Sequence, residues 1–135
     1  ASALNSGIVT ELGADQFIDY TKTHFEDVAK DVDVVFDTIG GDTQKRSWQV
    51  LKPGGILVSV VSPPPEAVAA THGARGAFVF IHPSGEQLTQ IARLIDEGRM
   101  QPVIHTVLPL AEVRQAHAIS QTGHARGKIV LQVAG

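Results

Sequence analysis

The side chains able to do chemistry gather where apolar runs end. Asp37 and Thr38 close a run that begins at Val32 and stand just before Gly40 and Gly41; Ser62 follows the run from Ile56; His82 and Ser84 follow the run from Ala77 to Ile81. A carboxylate such as Asp37 at such a junction can accept hydrogen bonds from backbone amides or contact a ligand, and the structural use is the commoner one. Gly40 and Gly41 let the backbone turn tightly beside it. The densest positive cluster is the segment from His124 to Lys128, with Arg126 between them. Such a cluster either meets an anion or stays a solvated loop. The remaining histidines share no spacing, so His24, His72, His105 and His117 read as surface or capping residues.

Those junctions must be held by strands and helices. Residues 32–39, 56–61 and 77–81 are short, rich in β-branched side chains and closed by turn residues, which marks them as strands. Their apolarity is continuous rather than alternating, the habit of parallel sheets covered on both faces. Between them lie helix signals. Asp42 is placed to cap a helix running to about Leu51, where Lys52-Pro53-Gly54-Gly55 stops it. Ser84 and Gln87 form a capping box before Leu88, Ile91, Ala92 and Ile95 at helical spacing, and Gly98 ends that helix. Upstream, a helical stretch stopping at Gly13 precedes a short strand at residues 17–20. Beyond Pro102 the pattern becomes strand 103–108, helix 110–121 and strand 128–133, while Pro63-Pro64-Pro65 makes a rigid loop. This alternation predicts an α/β fold: a partial, Rossmann-like doubly wound parallel sheet with right-handed crossovers and a C-terminal strand-helix-strand segment. Ligands of such sheets sit at the carboxyl ends of the strands.

Bulk properties narrow the partners. The chain has 135 residues, 43% of them hydrophobic, enough for a sizeable core. A net charge of −3 with scattered Lys and Arg gives no footprint for nucleic acid or an anionic membrane. No apolar run approaches the roughly 20 residues of a membrane span. With no cysteine, disulfides and thiolate metal sites are excluded, and a cytoplasmic location is expected.

Four segments in register carry a family resemblance: Leu12-Gly-Ala-Asp15 with Phe17-Ile-Asp-Tyr20, Val32-Asp-Val-Val-Phe-Asp-Thr-Ile-Gly40, Leu51-Lys-Pro-Gly-Gly55, and Gly127-Lys-Ile-Val-Leu131. Together they resemble the medium-chain dehydrogenase/reductases, the zinc-type alcohol dehydrogenase-like superfamily, and within it the quinone oxidoreductase branch. The resemblance implies that residues 1–102 are a coenzyme-binding domain lacking its first two strands and its Gly-rich turn, since no G-x-G-x-x-G occurs. Residues 103–135 would return to the catalytic domain. In the Rossmann strand order the two absent strands lie between residues 17–20 and residues 32–39, so the chain is expected to belong with an N-terminal partner or to pair its open edges.

The resemblance also assigns roles. Tyr20 falls near the adenosine phosphate of NADPH, and Ser2 opens the loop that chooses between NADP and NAD. The lack of an acidic residue before Glu11 leans towards NADP, with NAD possible. Thr38 would donate to the cofactor beside Gly40; Val60, Val61 and Ser62 would line its nicotinamide side, with Ser62 on the ribose or carboxamide. Relatives often place a glycine where Val61 stands, a departure that narrows the crevice. Phe80 and Ile81 would offer main-chain groups to the carboxamide, their alternative being plain core. Arg126 or Lys128 would meet a phosphate. The function implied is hydride transfer from NAD(P)H to a quinone or enone as small-molecule substrate, with no catalytic residue and no metal site assigned in this chain. The alternatives are a zinc-type alcohol dehydrogenase or a non-enzymatic, self-associating module. A homodimer is expected through the edge strand from Ala77 to Ile81.

Overall fold

Two short helices, α1 (Ser6–Glu11) and α2 (Phe25–Val28), precede the β-branched run that forms β1 (Val32–Asp37). Helix α3 (Gly41–Ser47) leads through a 3-10 turn at Trp48–Val50 into β2 (Leu51–Ser59), and α4 (Glu66–Thr71) leads into β3 (Arg75–Phe78). The strands lie in the order β1-β2-β3, every pair parallel, so both crossovers are helical as continuous apolar runs demand. The structure is a computed structural model describing residues 1–133. These elements form one compact unit, Ala1–His82.

A second unit starts at Pro83. It holds α5 (Gly85–Asp96), β4 (Ile104–Pro109), α6 (Val113–Gln121) and β5 (Lys128–Gln132), with β4 and β5 paired in parallel. The Ser84 cap forms as its sequence predicts: the Gln87 amide donates to Ser84 Oγ at 3.2 Å.

The core of the first unit is built on Trp48 and Leu57, with Leu51 and Ala69 buried beside them and Val32, Val35 and Ala74 packed against the cluster. Trp48 stacks on the His72 ring at a centroid distance of 6.3 Å. Gly76 in β3 allows this close fit, because a Cβ there would stand 3.0 Å from Pro64 Cβ and 3.4 Å from Trp48 Cη2. The sheet is not covered throughout: Val34 and Phe36 of β1 are exposed.

Several sequence expectations are corrected. Residues 17–20 form no strand. Among the described residues their ladder-like contacts run to Ala1 alone, whose N-terminus donates to the Ile18 carbonyl at 3.1 Å while the Tyr20 amide donates to the Ala1 carbonyl at 3.3 Å. A single bridge of this kind does not make a strand. β1 ends at Asp37 rather than residue 39, since the Asp37 carboxylate takes the next amides. β3 covers Arg75–Phe78, so Phe80 and Ile81 lie beyond it; at 69% and 70% exposure they are not core. Asp42 does not cap α3, whose N-cap is Gly40; it pairs instead with Lys45 at 2.9 Å. Residues 52–55 do not stop that helix but join β2, where the register against β1 shifts. Helix α4, absent from the pattern reading, follows directly on Pro65.

Gly127 enters β5 with φ 90°, and a Cβ on it would lie 2.2 Å from the Val103 carbonyl oxygen. The Lys128 amide bonds that same carbonyl at 2.8 Å. Relief of the clash would break this bond. Gly127→Ala is therefore expected to destabilise the β4-β5 pair by about 1–3 kcal/mol, read as a lower urea midpoint in circular dichroism.

Candidate functional site

Burial of a carboxylate requires that its oxygens be satisfied. Asp37, at the carboxyl end of β1, is only 4% exposed. Its Oδ1 accepts from the amides of Ile39 at 3.0 Å and Gly40 at 2.8 Å; its Oδ2 accepts from Gln44 Nε2 at 2.9 Å and Ser59 Oγ at 2.8 Å. The group thus ties together the end of β1, the following turn, helix α3 and the end of β2. Burial pushes the carboxyl upward, but the hydrogen bonds from Gly40, Gln44, Ser59 and Ile39 outweigh it and hold the carboxyl below its ordinary value of 3.8.

The partners extend the network into the next loop. Ser59 Oγ accepts from the amides of Val61 at 3.1 Å and Ser62 at 3.3 Å. Gln44 Nε2 also donates to the Ser62 carbonyl at 3.0 Å and to Ser62 Oγ at 3.2 Å. The Val60 amide donates to the Asp37 carbonyl at 3.2 Å. Where the two loops meet there is little spare room. Gly40 has φ 77° and ψ −164°, a region essentially confined to glycine, and a Cβ on it would stand 2.9 Å from Val61 Cγ1.

Sequence reasoning selected one half of this cluster. Gly40, Val60, Val61 and Ser62 are brought together, and Thr38, next to Asp37 in the chain, is exposed with no side-chain hydrogen bond among the described residues. Ser59 and Gln44 were missed. Ser59 had a readable signal, a hydroxyl inside an apolar strand; Gln44 had none beyond being one turn into α3. Of the two uses open to Asp37, backbone amides or a ligand, its oxygens take the structural one.

Tyr20 and Ser2 lie apart from that cluster in their contacts. Tyr20 lines a hollow of about 730 Å³ together with Phe17, Ile18, Phe25, Ile39 and Arg46. Arg46 is committed there: its Nη1 donates to both carboxylate oxygens of Glu26 at 2.8 and 2.9 Å, and the guanidinium lies 5.0 Å over the Phe25 ring. That bond to Arg46 holds the Glu26 carboxyl below its ordinary value. Ser2 precedes the first 3-10 turn, its carbonyl accepting from the Asn5 amide at 2.9 Å. Arg126 and Lys128 belong to the second unit, where the Arg126 amide donates to His105 Nδ1 at 3.2 Å. Among the described residues no three His, Asp or Glu side chains gather as a metal-binding group, and no helix is long and apolar enough to cross a membrane.

Parallel strands joined by helices, with polar loops at their carboxyl ends, define a Rossmann-like α/β protein. Residues 12–131 match the zinc-binding dehydrogenase family, and the chain belongs to it. A quinone oxidoreductase from Coxiella burnetii superposes with a TM-score of 0.87 at 32% identity, over 99% of this chain and 44% of that one. Mouse mitochondrial NAD(P)H oxidoreductase RTN4IP1 is 32% identical over 155 residues, 95% of this chain and 39% of its own length. The tomato 2-methylene-furan-3-one reductase is 33% identical, over 92% of this chain and 30% of its own. The chain thus spans less than half the length of these relatives.

The depressed Asp37 value has a pH consequence of definite sign. A carboxylate with a lowered folded pKa contributes stability that is full above its unfolded value and is lost as pH falls through the folded one. Urea unfolding between about pH 5 and about pH 2 is expected to show an acid loss of stability that becomes shallower in Asp37→Asn. Glu26, lowered by Arg46, adds to the same limb in both proteins.

Proposed function

We propose that the first unit supplies part of the nicotinamide-cofactor site of an NAD(P)H-dependent oxidoreductase that reduces a quinone or enone. The observation that carries this reading is the junction at the carboxyl ends of β1 and β2 where Gly40 lies against Val61 and Ser62, with Thr38 exposed two residues before Gly40. Uncharged hydroxyl donors at strand ends fit the ribose and carboxamide of a nicotinamide, which would supply the hydride when bound. Thr38 and Ser62 orient that half, Val61 limits the width of the crevice, and Phe80 and Ile81 offer backbone groups from the loop after β3. Tyr20 and Ser2 serve the adenosine end, while Arg126 and Lys128 are the second unit's own candidates for an anion. NADP is favoured over NAD, because the stretch from Ser2 to Thr10, which this reading sets at the adenosine ribose, carries no acidic side chain. In this reading residues 1–102 are coenzyme-binding and residues 103–135, the last two of which lie outside the described residues, serve the catalytic domain. The names of the relatives, NAD(P)H oxidoreductase and quinone oxidoreductase among them, support the same class. Cytoplasmic location remains the expectation from composition, although the mouse relative is mitochondrial.

A second reading, self-association, is favoured by the β3 edge. β3 is the last strand of its sheet, and Phe78 at its end with Val79, Phe80 and Ile81 just beyond it expose apolar side chains. A homodimer formed along this edge is compatible with either function.

Fluorescence titration of the chain with NADPH and NADH tests the cofactor reading. NADPH is expected to bind more tightly than NADH, and Thr38→Val and Ser62→Ala are each expected to weaken it about threefold to tenfold, one hydrogen bond's worth. A chain that binds neither nucleotide yet sediments as a dimer would establish the module instead.

A further inference from the structure

A carboxylate can only accept hydrogen bonds, and at the buried Asp37 this fixes the direction of every bond around it. Ser59 must give its single hydroxyl hydrogen to Asp37 Oδ2, which leaves its lone pairs for the Val61 and Ser62 amides. Gln44 must turn its amide nitrogen, not its oxygen, towards Asp37 Oδ2. The second hydrogen of that nitrogen is shared between the carbonyl and the hydroxyl oxygen of Ser62, so Ser62 Oγ is an acceptor within the network. Its own hydrogen has no acceptor among the described residues.

We propose that Asp37 is the positioning residue of the crevice: through Ser59 and Gln44 it locks residues 60–62 against Gly40 and leaves the Ser62 hydroxyl as a donor to an acceptor oxygen of the ligand. The ligand half of this inference rests on the cofactor reading above; the locking half does not. Asp37 itself touches no ligand, since its oxygens are filled by Ile39, Gly40, Gln44 and Ser59. Its charge is felt two bonds away. The close approach of Gly40 to Val61 makes the loop position matter, because any outward swing of residues 60–62 separates the two loops where they touch.

The locking is read by amide hydrogen exchange on the isotope-labelled chain. Gln44→Leu removes the link to Ser62 while leaving the Asp37 bonds to Ile39 and Gly40. It is expected to speed exchange at Val61 and Ser62 about tenfold, with Gly40 and the β2 residue Leu57 unchanged. Asp37→Asn is expected to speed Gly40, Val61 and Ser62 together, again sparing Leu57. Unaltered exchange at Val61 and Ser62 in Gln44→Leu overturns the locking, whether or not Asp37→Asn folds. The donor role is read by NADPH titration of the same proteins. Affinity is expected to fall about threefold to tenfold in Gln44→Leu and in Ser62→Ala. Normal exchange behaviour with no NADPH binding by the unaltered chain rejects the cofactor reading and the donor role, and leaves the locking standing. Binding that is unchanged in Ser62→Ala rejects the donor role alone.

Discussion

One buried negative charge organises the first unit. Asp37 ends β1, and the path of the neighbouring loops is decided by which donors reach its two oxygens: the turn amides, a side chain from α3 and a hydroxyl from β2. Stripped of these, an ionised carboxylate in that position would cost several kcal/mol in lost hydration. The fold meets the demand by bringing two loops from neighbouring parallel strands into one hydrogen-bonded assembly. Strand pairing in the sheet supplies the coarse alignment, Asp37 against Ser59, and the carboxylate supplies the fine one.

Much of the architecture was legible because parallel strands write a simple pattern. They appear as short, continuous β-branched runs, and β1, β2 and β3 were found that way, although the burial on both faces that such runs imply is not met at the exposed Val34 and Phe36 of β1. β4, α6 and β5 followed from the change of pattern after Pro102, and the Ser84 cap followed from a local rule with its own geometry. The failures share a different cause. Residues 17–20 have strand composition, but a strand exists only when a neighbour pairs with it, and Ala1 alone meets them among the described residues. Pairing is a property of two segments, and composition describes only one. Helix α4 was hidden by the prolines before it, which read as loop although Pro65 is well suited to stand at a helix entrance.

The site was legible by half for the same reason. Glycines with special backbone angles, such as Gly40, announce themselves, and hydroxyls at strand ends invite attention. The bonds of Gln44 to Asp37 and Ser62 span 7 and 18 residues of sequence and exist only once α3 is laid beside β2. Likewise the contact between Gly40 and Val61 joins two loops that are remote in the chain. Family resemblance pointed to Val61 as a departure; only the folded geometry shows what the extra methyl groups press against.

Trp48 carries a practical consequence. It is the chain's sole tryptophan, and Tyr20 its sole tyrosine, so both intrinsic fluorophores reside in the unit Ala1–His82. Trp48 is 2% exposed and rests on an imidazole ring, whereas Tyr20 is 62% exposed beside the hollow. Emission from this protein therefore reports one unit with two spectrally distinct windows, one on the packed interior and one on the rim of a cavity. The second unit contributes neither fluorophore, and its behaviour has to be followed through the backbone.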